Sequence, residues 1–314
     1  METVVAQYFS QGSMYPSFLP PLVNQLTEPE AIAMAQSLQQ AAIATPLRPE
    51  PILTSFSQQG SGKQAILLIH GFDSSVLEYR YLIPKLAETY EVWAVDLLGF
   101  GFTERPENLA FDPKNIRAHL HSFWQQKINR PVIIVGASMG GAVALDFALA
   151  YPDVAQQIVL LDSAGLAPKP FSRFAMVPPL DRWATGFLGS MNVRRKICQS
   201  AYFDKSRVTE DGVICGAMHV GCDRWQETLI QFTKGGGYGS FYPRLKGISQ
   251  PTLILWGRQD QILGTKAPLK FKQGIANSVL HWIDNCGHLP HVEQTDVVTA
   301  KILEFCQTPA VSVS

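Results

Sequence analysis

The sequence predicts an α/β fold, a mostly parallel twisted sheet flanked by helices, with a helical insertion between two of its strands. Three observations predict it. Short apolar runs at 65–70, 91–96, 131–136, 157–162, 252–257 and 278–284 alternate with longer amphipathic segments, the rhythm of strands joined by crossover helices. Most runs are unbroken Val, Ile and Leu, as in strands covered on both faces. Between the fourth and fifth runs, over residues 165–248, the rhythm stops.

Taken in chain order, residues 1–50 read as an N-terminal extension, because Pro16, Pro20, Pro21, Pro46 and Pro49 interrupt regular structure. One helix fits between the prolines. Thr27 and Glu30 have capping-box spacing, and the Ala-rich stretch 31–44 favours helix. Tyr8, Phe9, Tyr15, Phe18, Leu19 and Leu22 form either an arm packed on the main body or an apolar surface for a lipid or partner; packing is the preferred reading, since scattered apolar residues near a terminus usually pack. Residues 51–164 and 249–314 supply the sheet, with helices near 76–89, 112–129, 139–151, 266–275 and 293–305. The insertion is rich in large apolar side chains: Phe171, Phe174, Met176, Trp183, Phe187, Leu188, Met191, Phe203, Trp225 and Phe232. Gly235, Gly236 and Gly237 near its end are a hinge candidate. An insertion at the carboxyl ends of the strands covers the place where open α/β sheets bind ligands, so 165–248 is expected to be a cap, or lid. The alternative is a helical elaboration that only enlarges the core.

Composition narrows the partner. At 46% hydrophobic, with 26 basic and 26 acidic residues, the chain has no global field to attract nucleic acid. A small molecule is expected instead. Five cysteines without C-x-x-C spacing, and no histidines at metal-site intervals, predict reduced thiols and neither metal nor cofactor. The N-terminus lacks a basic n-region, and no stretch nears the roughly 20 apolar residues of a membrane span, so a cytoplasmic protein is expected. Nothing supports contact with a membrane surface, and the oligomeric state is not legible.

The residues that carry chemistry begin with Gly136-Ala137-Ser138-Met139-Gly140, a G-x-S-x-G between the run PVIIVG and the helix-forming GAVALDFALAYP. A serine on so tight a strand-to-helix turn needs small neighbours, and its hydroxyl then projects above the sheet edge as a nucleophile. The bare pattern also describes a glycine-rich turn with an idle serine. Serine needs a base, and the base needs a group that fixes its tautomer. His288 follows the sixth run and Asp260 the fifth, giving the order Ser, Asp, His on loops at strand ends. Asp162, which ends the fourth run, is the alternative acid. His281 lies inside a run, and His119, His121, His219 and His291 are not on suitable loops. An oxyanion would need two N–H donors, worth roughly 2.7–4 kcal/mol each. The amides of Met139 and of Phe72, in His70-Gly71-Phe72-Asp73, are placed to supply them. Asp96 is read as a loop-fixing carboxylate.

Together HGFDSS, VDLLGFGFTERP, GASMGGAVALDFALAYP, PTLILWGRQDQI and NCGHLPHVE resemble the α/β-hydrolase superfamily, over about residues 51–306. The resemblance implies the α/β-hydrolase fold, with Ser138, Asp260 and His288 as catalytic triad and Phe72 and Met139 as oxyanion donors. Haloalkane dehalogenases and epoxide hydrolases of this superfamily carry Asp where this chain has Ser138, which argues against their chemistry. The expected activity is hydrolysis of a small-molecule carboxylic ester with an apolar moiety. C–C bond hydrolysis, cofactor-free perhydrolysis and a ligand receptor of hydrolase fold remain alternatives.

Overall fold

A computed structural model describes residues 14–166 and 180–307. One eight-stranded sheet runs in the order β1-β2-β4-β3-β5-β6-β7-β8. Its strands are Gln39–Thr45 (β1), Arg48–Gln59 (β2), Ala65–Ile69 (β3), Glu91–Val95 (β4), Val132–Ala137 (β5), Ala155–Leu161 (β6), Thr252–Gly257 (β7) and Ser278–Ile283 (β8). Pairing is parallel from β4 through β8 and antiparallel at β1/β2 and β2/β4. The six apolar runs coincide with β3 to β8. Successive residues face opposite layers: Leu67 and Ile69 enter one core, and Ile66 and Leu68 the other.

The helices are Pro29–Gln36 (α1), Leu82–Ala87 (α2), Pro113–Lys127 (α3), Met139–Ala150 (α4), Leu180–Leu188 (α5), Met191–Ala201 (α6), Glu210–Ala217 (α7), Trp225–Lys234 (α8), Ala267–Gly274 (α9), Pro290–Glu293 (α10) and Thr295–Gln307 (α11). None of the described helices is long and apolar enough to cross a membrane.

The N-terminal reading needs correction. The helix expected over 31–44 stops at Gln36, and residues 39–45 instead form the edge strand β1. Its Ile43 side is buried and its Ala42 side exposed, so cross-strand packing on β2 overrides the helical preference of alanine. The capping box also fails: Thr27 donates through N and Oγ1, and Glu28 through N, to the Asp211 carboxylate of α7. Tyr15 and Leu19 are buried, with Phe18 and Leu22 packed beside them. Tyr8 and Phe9 lie outside the described residues.

Between β6 and β7 the chain leaves the sheet for α5 to α8. Of the apolar residues singled out there, Trp225 and Phe232 are buried, whereas Trp183, Phe187, Leu188, Met191 and Phe203 are exposed. Phe171, Phe174 and Met176 lie outside the described residues. The three-glycine run ends α8, with Gly236 and Gly237 at φ +80° and +50°.

One buried histidine couples the core to pH. His119 on α3 lies 2.8 Å from Thr54 Oγ1, whose own proton goes to the Ile52 carbonyl, so the imidazole is the donor. Burial holds its pKa down to about 4, against 6.5 for a free histidine. The unfolded chain therefore binds the proton more readily. This site's contribution is complete above pH 6.5 and is lost as pH falls toward 4. His119→Gln should flatten the acid side of the pH–stability curve by on the order of 3 kcal/mol, measured by urea unfolding across that window.

Candidate active site

Ser138 sits at the junction of β5 and α4 with φ +49° and ψ −116°. Three hydrogen bonds hold this strained backbone: Ser138 N donates to Leu161 O at 2.9 Å, and Ser138 O accepts from Gly141 N at 3.0 Å and Ala164 N at 2.9 Å. The neighbouring glycines are sterically required. A Cβ on Gly136 would overlap the Gly140 carbonyl, and one on Gly140 the Ile69 carbonyl.

His288 follows β8, and its Nε2 lies 3.0 Å from Ser138 Oγ. Its Nδ1 lies 3.1 Å from Asp260 Oδ2. The other oxygen of Asp260, Oδ1, accepts from Ile262 N at 2.7 Å and Leu263 N at 3.1 Å. Burial works against ionisation of Asp260, but His288 and these two amides outweigh it and hold the carboxyl below its usual range. Thus residues 138, 260 and 288, separated by up to 150 positions, meet at one end of the sheet.

Asp162, the alternative acid, lies beside Asp260 rather than on His288 Nδ1. Both its oxygens accept from Gly257 N, at 3.0 and 3.1 Å. Burial, then the charge of Asp260, push its carboxyl well above the ordinary range. Ligand atoms of Asp162, Asp260 and His288 fall within 4.8 Å of one another, a spacing that a metal ion would accept. These atoms are already engaged in hydrogen bonds, Asp162 to Gly257 N and Asp260 to Ile262 N, Leu263 N and His288.

The loop after β3 approaches Ser138 from the other side: a Cβ on Gly71 would lie 3.5 Å from Ser138 Cβ. Met139 opens α4, so its N–H has no carbonyl one helical turn back. The Phe72 N–H donates to no acceptor among the described residues. His70 shapes this loop: its Nδ1–H donates to Gly71 O at 2.8 Å while Nε2 accepts from Leu97 N at 3.1 Å. Burial keeps it neutral, with a pKa of about 4. Asp96 accepts from Val76 N at 2.8 Å and Phe102 N at 2.9 Å, with burial raising its pKa to about 7.

Three supporting carboxylates went unassigned in the sequence, although each falls within or beside a quoted motif. Glu78 accepts from Gly71 N at 3.2 and 3.3 Å and from Ser74 Oγ at 2.5 Å. Glu293 accepts from Gly287 N at 2.7 Å and, across the insertion, from Phe203 N at 2.8 Å. Asp73 binds the insertion.

A sheet of this order, with a serine on the turn after β5, defines a recognisable class. The model of the alpha/beta hydrolase family matches residues 66–301, and the chain belongs to that family. It is 31% identical over 306 residues to the alpha/beta hydrolase domain-containing protein VTE7 of Arabidopsis thaliana, covering 94% of this chain and 92% of that protein. It is 27% identical over 262 residues to 2-hydroxy-6-oxo-2,4-heptadienoate hydrolase of Pseudomonas putida, covering 77% and 88%. Among solved structures, the meta-cleavage product hydrolase CumD of Pseudomonas fluorescens IP01 aligns with a TM-score of 0.73 at 27% identity, over 84% of this chain and 96% of that one.

Proposed function

We propose that this protein is a serine hydrolase cleaving a carboxylic ester with an apolar moiety. The observation that carries the reading is the continuous relay from Ser138 Oγ through His288 to Asp260, with contacts of 3.0 and 3.1 Å. Ser138 attacks the carbonyl carbon as His288 Nε2 takes its proton. Asp260 fixes the tautomer and stabilises the imidazolium. The carbonyl oxygen, now an oxyanion, is received by the N–H groups of Phe72 and Met139. Collapse expels the alcohol with the proton from His288, and water then releases the acid from the acyl-enzyme by the same steps.

Residues 165–248 act as the cap. The Phe72 ring packs against Phe100 and Phe232 at 5.9 and 5.7 Å, an apolar wall beside the oxyanion donor that suits a hydrocarbon group.

A second reading, C–C bond hydrolysis, is favoured by similarity to the heptadienoate hydrolase. A 2-hydroxy-6-oxo-dienoate contains no ester, so its hydrolysis must break a carbon–carbon bond. It is also a carboxylate, whereas Arg194, which α6 brings to the Phe72 loop, is already paired with Asp73. That pairing leaves Arg194 engaged and favours the ester reading only at this position.

A p-nitrophenyl ester panel of increasing acyl length, with fluorophosphonate labelling, tests the proposal. Multiple turnover, with labelling at Ser138, is expected. Turnover of a β-diketone with none of any ester would establish the second reading instead. One equivalent of product followed by a stall would indicate a receptor.

A further inference from the structure

Asp73 follows Phe72 in the chain, and three donors from the insertion converge on its carboxylate. Arg194 Nη2 on α6 reaches Oδ2 at 2.5 Å. His219 Nε2, in the 3-10 turn Met218–Gly221, and Trp225 Nε1, at the start of α8, reach Oδ1 at 3.0 and 2.7 Å. The Arg194 guanidinium also lies 5.2 Å from the Trp225 ring centroid. All three partners are buried. Burial opposes the charge of Asp73, but His219, Arg194 and Trp225 outweigh it and hold the carboxyl below its usual range. Its backbone is left-handed, φ +50°, a conformation that costs a non-glycine residue energy and must be held by its surroundings.

An anchor for the insertion could sit anywhere on the sheet rim. This one sits one peptide unit from the Phe72 N–H, where a displacement of about 1 Å removes much of a donor's value to an oxyanion. Resting on the serine-hydrolase reading, we infer that Asp73 is a positioning residue through which the docked insertion holds the Phe72 N–H on the oxyanion. The seating of α6 and α8 on Asp73 and the placement of the Phe72 N–H are then coupled.

Two variants test this. Asp73→Asn keeps the size and removes the charge; Trp225→Phe removes one donor and keeps an aromatic ring. Turnover of a p-nitrophenyl ester is measured alongside the affinity of an aryl trifluoromethyl ketone. Addition of Ser138 Oγ to that ketone's carbonyl leaves an oxyanion in the same hole. Asp73→Asn should lower kcat by about 30- to 300-fold with KM changed less than about threefold, and Trp225→Phe by about fivefold. Ketone affinity should fall by the same factor as kcat/KM. The double variant should lose less than the product of the two single effects, because both act through one contact. Arg195→Gln, on the same helix but paired with exposed Glu210, should change none of these.

Variants that melt earlier yet keep wild-type kcat and ketone affinity would reduce Asp73 to an anchor and overturn the inference. If Asp73→Asn does not fold, Trp225→Phe decides alone. A wild-type protein that neither turns over esters nor labels at Ser138 overturns the serine-hydrolase reading and this one with it. A labelled, active wild type with insensitive variants overturns only this one.

Discussion

Ser138→Ala is expected to lower ester turnover by about 10⁴- to 10⁶-fold and to abolish fluorophosphonate labelling, while the melting temperature stays within a few degrees of wild type. The loss is chemical. Without Oγ there is no nucleophile and His288 has no proton to accept, while substrate binding and the N–H groups of Phe72 and Met139 are untouched. A residual rate above that in water is therefore expected from the oxyanion donors alone. The fold should persist because the turn is held by backbone bonds, from Ser138 N to Leu161 O and from Gly141 N and Ala164 N to Ser138 O, which alanine keeps. Alanine also suffers much the same strain at φ +49° as serine does. Calorimetry and the p-nitrophenyl assay on one preparation check both halves. Undiminished turnover by the folded variant would remove the serine from the chemistry.

What the sequence could disclose depended on whether the deciding interaction was local. Strands β3 to β8 were legible because burial on both faces demands unbroken apolar runs, and Gly136 and Gly140 mark a turn that only they can make. Strand β1 was not legible: QQAAIAT has helical propensity, and its partner β2 contains Pro49 and Pro51. Only the register of Ile43 opposite Ile52 and Ala41 opposite Thr54 decides the matter. Ser138, Asp260 and His288 could be nominated because each stands at a strand end in a motif of its own. The Asp73 network carried no such signal. Its partners lie 121, 146 and 152 residues away, and an aspartate after Gly71-Phe72 reads locally as a turn residue.

The insertion reaches the site at two points. On one side it grips the Phe72 loop through Asp73. On the other, Ala201 O at the end of α6 accepts from His288 N at 2.7 Å, and Glu293 joins the Gly287 amide to that of Phe203. His288 and the Phe72 loop are thus both referenced to α6. A cap that moves as a body would shift both, and a substrate too short to be covered would meet a less ordered site. Acyl length should then act on kcat as well as on KM.

The roles of the two neighbouring acids separate by substitution. In Asp260→Asn the side-chain carbonyl stays with Ile262 N and Leu263 N, which turns the amide NH₂ toward His288 Nδ1. Two donors cannot face each other, so the imidazole adopts the other tautomer, with its proton on Nε2. It then points a hydrogen rather than a lone pair at Ser138 Oγ, 3.0 Å away. The expected loss in kcat is about 10⁴-fold. Asp162→Asn behaves differently. Burial and the charge of Asp260 push the Asp162 carboxyl well above the ordinary range, and its oxygens accept from Gly257 N. Asparagine keeps the size of the side chain and a carbonyl for Gly257 N. Its cost should stay below about tenfold, the scale of one imperfect hydrogen bond. Measured on the same ester, a reversed ranking would mean that Asp162 orients the imidazole during turnover and that Asp260 serves it, the opposite of what the 3.1 Å contact between Asp260 and His288 implies.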